Sequence, residues 1–444
     1  MNYNERLSNV AVLGAAGKMG SGIVLLTVIE MANRCLIEGK DPCEASLHAI
    51  DVSPSALNGL MKYLRTQVLK SAEKSTIQLR KWYSGNPALI ENEEIINRYV
   101  MDVLSVVKPS TRMEAAWDAY VIFEAVSENP DLKVKLFSSI NEHNPNQPWF
   151  LTNTSSIPIG ELNKKAGLNG NIIGLHYYNP PAIQKLLEII TPAEINPHLV
   201  EFANQLAGNL QKTVVHANDV AGFIGNGFFM RDILFAVNET MRLTKEMSLP
   251  QALYVVDKVS RDYLVRPMGI FQLSDYVGID VCVFIMAVMN ERLTGENVQC
   301  SLFEQLMKQE VMGGQFADGN QKDGIFKYIK GQIVAVYDLN TKQYIELKAI
   351  ADVGDSFLGP MPASWQPWKL AIKSRTREIM LQQYFDELKQ MQTTGAVLAK
   401  AYAINAKQIG QQLVRNGVAH KTDDVNTVMT TGFFHAFGPV NDYL

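Results

Sequence analysis

Asn9-Val-Ala-Val-Leu-Gly14-Ala-Ala-Gly17-Lys18-Met19-Gly20 decides the fold of this chain. Its first half is a short β-branched run, which reads as a buried strand. Its second half is a glycine-rich turn. From Gly17 to about Leu36 good helix formers follow without proline, so a long helix is expected. A turn this tight needs glycine for backbone freedom and for close approach to a ligand. The helix N-terminus beyond it aims unpaired N–H groups at a pyrophosphate. Leu47–Val52 reads as a second strand, with Asp51 near its end, where a carboxylate can accept from the ribose hydroxyls of NAD and repel the extra phosphate of NADP. The spacing is G-x-x-G-x-x-G, and Asp51 lies 31 residues past Gly20. The usual distance is about 20, so the first helix, or the loop after it, must be lengthened.

Working outward, Pro54 to about Trp82 reads as helical and carries Lys62, Arg65, Lys70, Lys74, Arg80 and Lys81. Further strands are expected at 119–126, 149–153, 172–178 and 186–190. Strands alternating with helices over the first 200 or so residues predict a mostly parallel, doubly wound α/β sheet of Rossmann type. After Asn209 strand signals nearly vanish, and helices are expected over 221–246, 249–263 and 281–292. Gln332–Leu347 is the exception, with two β-rich runs flanking Asn340-Thr-Lys342 as in a hairpin. Helical patterning resumes from Trp368 to about Val414. The expected domains are 1–212, with a helical hairpin insert at about 54–85, then an all-α domain over 213–330, then a second, degenerate helical domain over 331–444. The duplication rests on an echo: Asp257…Met268-Gly-Ile-Phe-Gln-Leu-Ser-Asp275-Tyr276 against Asp424…Phe437-Gly-Pro-Val-Asn-Asp442-Tyr443, whose internal spacings differ by two residues.

The whole chain has 444 residues, 41 Lys plus Arg and 45 Asp plus Glu, giving a net charge of −4. That balance argues against a basic grip on nucleic acid. Apolar residues make up 47%, ordinary for a globular chain with large cores. The four cysteines (Cys35, Cys43, Cys282, Cys300) form no C-x-x-C pair and suggest free thiols in a reducing compartment. The N-terminal stretch lacks the pattern of a secretory signal. The longest apolar runs, near 23–29 and 281–289, fall short of the roughly 20 residues of a membrane span. A cytoplasmic protein with no membrane partner is therefore expected. No metal-ligand spacing is visible.

A second cluster of polar residues falls at strand ends, where ligands bind in such sheets. Asn153-Thr-Ser155-Ser156, Gly174-Leu-His176-Tyr-Tyr-Asn179-Pro180 and Lys185-Leu-Leu-Glu188 follow one another. A histidine among apolar residues is usually a satisfied core residue. Beside a cofactor turn, a histidine with a glutamate twelve residues on reads instead as a base held by a carboxylate.

These motifs resemble those of the L-3-hydroxyacyl-CoA dehydrogenase family, with its 6-phosphogluconate dehydrogenase-like helical domain, from about Ser8 to Tyr328. Glu124-Ala125-Val-Ser-Glu128-Asn…Lys133, Asn153-Thr-Ser-Ser, His176-Tyr-Tyr-Asn179-Pro, Lys185-Leu-Leu-Glu188 and Gly222-Phe-Ile-Gly-Asn226 stand in the family's order. Pro267–Gly278 and Lys322–Tyr328 resemble its later signatures. The resemblance implies that His176 is the general base and Glu188 supports it. Ser155 and Asn226 would bond around the reacting oxygen and the imidazole, and Asn179 would help to bind substrate. Gly14, Ala16, Gly17, Lys18, Met19, Gly20, Asp51, Ala125, Glu128, Lys133 and Asn153 would serve NAD. The basic face bearing Lys62 and Lys70 would meet the phosphates of an acyl-CoA substrate, or else be a solvated helix face. The activity implied is NAD-dependent oxidation of (S)-3-hydroxyacyl-CoA in fatty-acid β-oxidation or short-chain acyl-CoA metabolism. Two alternatives stay open: a CoA-independent hydroxy-acid dehydrogenase, such as one acting on a sugar acid, and a non-catalytic NAD-binding scaffold. The chain departs from the family pattern in the extra residue of its glycine loop, the lengthened segment before Asp51, and more than 100 residues beyond Tyr328. Shorter members dimerise through the helical domain, so the extra length suggests a pseudo-dimer within one chain, with further association left open.

Overall fold

The computed structural model describes residues 1–316 and 319–444. The chain forms two compact units, Met1–Asp219 and Val220–Leu444.

The first unit is built on one eight-stranded sheet: β1 Asn9–Leu13, β2 Ser46–Ile50, β3 Val107–Ser110, β4 Val121–Glu124, β5 Trp149–Thr152, β6 Ile172–Tyr177, β7 Leu186–Thr191 and β8 Thr213–Asn218. Their spatial order is β3-β2-β1-β4-β5-β6-β7-β8. All neighbours run parallel except β6 and β7. The central strands β1 and β4–β7 are apolar almost throughout, as expected where helices cover both faces. Helix α1 (Gly20–Ile37) follows the glycine turn as anticipated. Helix α2 (Pro54–Lys74) buries Leu57, Leu60, Leu64, Val68 and Ala72, a stripe at three- and four-residue spacing. Ser53 accepts from the Ala56 N–H at 3.2 Å and Pro54 fixes the first turn, so the start is well capped. A short helix at Thr76–Trp82 follows, then α3 (Asn92–Ser105), which packs back on α2. The helical insert thus runs on to Ser105, beyond the expected end near residue 85. Three more helices complete the layers: α4 (Pro130–His143), α5 (Ile159–Ala166) and α6 (Pro197–Asn209).

The sheet also contains β8, so the first unit ends at Asp219 rather than at residue 212. In the second unit, α7 (Gly225–Leu243) and α8 (Leu249–Lys258, continued by a π-turn over Val259–Tyr263) lead to α9 (Ile270–Val277) and α10 (Ile279–Arg292). A small antiparallel sheet follows: β9 Phe326–Ile329, β10 Gln332–Asp338 and β11 Gln343–Glu346. The expected hairpin is β10–β11, and β9 adds a third strand. Then come α11 (Leu347–Leu358), α12 (Arg377–Gln390), α13 (Thr394–Arg415) and α14 (Thr422–Thr427), the last continued by a π-turn over Val428–Gly432. One apolar core takes in residues from Ala221 to Ala436, so 331–444 shares it with 220–330.

The internal echo is present with a corrected pairing. Asn426, not Asp424, stands in the place of Asp257. Asp257 is in the same relation to Gly269 as Asn426 is to Gly438: a Cβ on either glycine would come within 2.2 or 2.3 Å of that side chain. Both pairs lie twelve residues apart, and 426 − 257 and 438 − 269 both give 169. The two π-turns, at Val259 and Val428, share that offset, as do the left-handed residues Val265 (φ 48) and Phe434 (φ 57). Asp257 accepts from the Phe271 N–H at 2.9 Å, and Asn426 accepts from the N–H of Val440, the matching position, at 3.0 Å.

Candidate active site

Strand register collects the expected residues at one edge. Ile50, Leu13, Glu124, Thr152 and Gly174 lie abreast on β2, β1, β4, β5 and β6. Gly14, Asp51, Ala125 and Asn153 follow immediately beyond that row, and His176 two residues beyond it, at the carboxyl edge of the parallel strands, where open α/β sheets hold ligands.

The glycine turn is a cradle that side chains would fill. Gly14 has φ 73, and a Cβ there would sit 2.6 Å from the Ala125 carbonyl oxygen. A Cβ on Gly20 would sit 2.0 Å from the Gly14 carbonyl oxygen. Gly17 and Lys18 are exposed and Ala16 and Met19 partly so, which leaves the turn open to a ligand. Asp51 accepts from the Ala16 N–H at 3.0 Å and the Ser53 N–H at 3.2 Å, which ties the end of β2 to the turn. The residues present therefore fit a dinucleotide: a bare turn, the start of α1 and an adjoining carboxylate.

A charged network lies next to it. The Lys133 ammonium, 1% exposed, is 2.6 Å from Glu124 and 3.1 Å from Glu128. Burial would lower this lysine, but the two carboxylates outweigh it and hold it above its usual range. Burial likewise works to raise Glu128, yet Lys133 and the donors from 154 and 155 hold it below the usual carboxylate range. Glu128 accepts from the Thr154 hydroxyl at 2.6 Å, the Ser155 N–H at 2.8 Å and the Ser155 hydroxyl at 3.3 Å. Lys133 thus faces carboxylates and acts on the turn through Glu128. Asn153 joins that turn to β6 by accepting from the Tyr177 N–H at 2.9 Å.

His176 ends up opposite Glu188 because β6 and β7 are antiparallel and place the two residues in register. Directly opposed residues bring their side chains together on one face. His176 Nδ1 lies 2.7 Å from Glu188 Oε2, and Glu188 is fully buried. A carboxylate on Nδ1 favours the tautomer with its proton on Nδ1 and its lone pair on Nε2. The Tyr178 hydroxyl donates to the same Oε2 at 2.9 Å. Burial first, and then the charge of Glu188, push that phenol well above its ordinary value. Asn179 follows directly and forms a cis peptide with Pro180.

Lys62 and Lys70 lie on the exposed face of α2, opposite its buried stripe. Asn226 belongs to the second unit, in the first turn of α7. Sequence reasoning missed Tyr178, although its period-two spacing from His176 was the available signal. It also missed Lys212, whose ammonium donates to the Pro181 and Gln184 carbonyls at 2.5 and 2.7 Å and holds the loop after Asn179. Among the described residues no cluster of His, Cys, Asp and Glu has the arrangement of a metal site.

Two family models cover most of the chain. The 3-hydroxyacyl-CoA dehydrogenase NAD-binding domain matches residues 9–220, and the C-terminal domain of the same family matches 222–322. The chain belongs to the 3-hydroxyacyl-CoA dehydrogenase family. NAD is its cofactor. A probable 3-hydroxybutyryl-CoA dehydrogenase of Bacillus subtilis is 28% identical over 312 residues, 69% of this chain and 95% of that protein. The fatty acid oxidation complex subunit alpha of a Shewanella species is 26% identical over 353 residues, 77% of this chain but 44% of that protein. Among solved structures, 3-hydroxybutyryl-CoA dehydrogenase from Escherichia coli covers 98% of this chain and 90% of its own, with a TM-score of 0.64 and 19% identity. That likeness is one of fold, and it extends over the residues beyond the two family models.

Proposed function

We propose that this dehydrogenase interconverts (S)-3-hydroxyacyl-CoA and 3-oxoacyl-CoA, with His176 as the general base. The observation that carries the reading is the buried His176–Glu188 pair at the sheet edge shared with the glycine turn. NAD, when bound, accepts the hydride from the carbinol carbon. His176 Nε2 takes the hydroxyl proton, and Glu188 holds the ring and balances the charge it gains. Ser155, kept in place by Glu128, bonds the reacting oxygen. Asn179 contacts the substrate. Gly14 to Gly20, Asp51, Ala125, Glu128, Lys133 and Asn153 form the cofactor side, Lys133 acting through Glu128. Lys62 and Lys70 offer exposed charge to the CoA phosphates. Four free cysteines and the fatty-acid-oxidation relatives support a cytoplasmic setting.

The same reading makes the chain its own pseudo-dimer, residues 331–444 taking the place of a partner's helical domain. The 169-residue offset supports this. Further self-association is measured by light scattering.

The deciding assay follows NADH consumption with acetoacetyl-CoA, with free acetoacetate and with a panel of oxidised sugar acids. Turnover with the thioester alone is expected. Turnover with free acids alone moves the enzyme to CoA-independent chemistry. Bound NADH with no turnover on any of them leaves a scaffold.

A further inference from the structure

Glu188 Oε2 accepts from His176 Nδ1 at 2.7 Å and from the Tyr178 hydroxyl at 2.9 Å. The second donor comes from the residue directly after β6: Tyr178, two beyond the histidine, reaches the same acid with its hydroxyl. The His176 and Tyr178 rings lie 4.9 Å apart and tilted by 41°, close enough to brace one another. Because Glu188 is fully buried, each donor takes a large share of its charge. Val215 stands opposite Glu188 on β8, and Tyr177, one residue along, turns to the other face of the sheet. Lys212 lies on that other side, 5.6 Å from the Tyr177 ring, and is bonded to backbone carbonyls.

We propose that Tyr178 is a positioning residue for the base: its hydroxyl fixes the Glu188 carboxylate and tempers that carboxylate's pull on the imidazole. The inference rests on His176 being the base. A phenol whose own ionisation is driven far upward by burial and by Glu188 keeps its proton and stays a donor through the working pH range. Without that donor, more of the Glu188 charge falls on the imidazole, which then holds its proton more tightly. A base that holds its proton too tightly begins the oxidation already occupied.

The test is Tyr178→Phe, which removes one oxygen and keeps the ring. Two readouts are taken on the full chain. The first is the 15N-histidine NMR titration of His176, assigned with a His176→Gln control. The second is kcat and KM for hydroxybutyryl-CoA oxidation against pH. A hydrogen bond to a charged group, partly transmitted, predicts a rise of about 0.5–1 pH unit in the His176 midpoint. The acid limb of kcat should move by the same amount, with KM changed less than about twofold. An unmoved or lowered His176 midpoint overturns the proposal. If the midpoint rises but the wild-type enzyme turns over no hydroxyacyl-CoA, the functional reading fails while the Tyr178–Glu188–His176 coupling stands. If it rises while the acid limb of an active enzyme stays put, the role of Tyr178 in the reaction is overturned.

Discussion

Replacing Glu188 with glutamine removes one charge and keeps the shape. In the wild type the carboxylate oxygen is 2.7 Å from His176 Nδ1, and the pair is buried. When the ring takes a proton, its charge centres about 4 Å from the carboxylate, where two unit charges in a protein-like medium attract by about 4 kcal/mol. The amide oxygen of glutamine still accepts from Nδ1, and that neutral bond returns about 1 kcal/mol. The net loss is about 3 kcal/mol, which lowers kcat roughly 100-fold. The cofactor turn is untouched, so the NADH dissociation constant should stay within about twofold. An uncharged amide in the same buried space should leave the melting temperature close to that of the wild type. The assay is kcat for oxidation of 3-hydroxybutyryl-CoA with NAD, read beside an NADH fluorescence titration and a thermal melt. A folded Glu188→Gln protein whose kcat lies within about threefold of wild type would refute the reasoning.

Three further outcomes follow from the geometry. Gly14→Ala puts a Cβ 2.6 Å from the Ala125 carbonyl at φ 73, so the turn must shift and NADH affinity should fall at least about tenfold; unchanged affinity by titration would remove the turn from the cofactor side. Burial raises Asp257 to about 6 and Asp275 to about 8, so the folded second unit keeps protons that the unfolded chain has released. The contribution of these two carboxyls to stability should therefore be greatest below about pH 4 and be lost as pH rises towards 8; the melting-temperature difference between wild type and Asp257→Asn from pH 4 to 8.5 checks the sign, and a difference that moves in favour of the wild type as pH rises contradicts it. Gly395→Ala places a Cβ 2.1 Å from the Tyr263 hydroxyl oxygen and 3.0 Å from the Leu358 carbonyl, and should cost about 1–3 kcal/mol in denaturant unfolding. Gly59→Ala, in open space on α2, is the control expected to be neutral or stabilising.

The first unit was legible where local chemistry is distinctive. A β-branched run, a glycine turn and a proline-free helix are signals carried by consecutive residues, and β1, the turn and α1 stand where these signals put them. The strands that escaped notice are the two edges of the sheet. β3 is only Val107-Lys-Pro-Ser110, exposed in its middle, and proline is tolerated there because an edge strand leaves one side unpaired. β8 alternates burial with exposure and lacks the continuous apolar run of the interior strands. The His176–Glu188 pair was readable as a spacing, but the antiparallel turn of β7 that brings them face to face was not. Tyr178 offered only its spacing from His176, since its partner lies across the ladder. Matching letters in the second unit pair Asp257 with Asp424. The matching place is held by Asn426, because an amide can cap the turn as a carboxylate does.

That echo of turns changes what a single substitution can do. In a symmetric pair of identical subunits every change is made twice, once on each side of the axis. In this chain the two turns are written separately, so Asp257 and Asn426 hold matching turns with different chemistry. The position matching Asn226 is Gly395, and the Tyr263 hydroxyl lies 2.1 Å from where its Cβ would be. Side-chain room beside that glycine has already been given to packing. Each copy can drift by itself, and a survey of tolerated substitutions should find positions 169 residues apart obeying different rules.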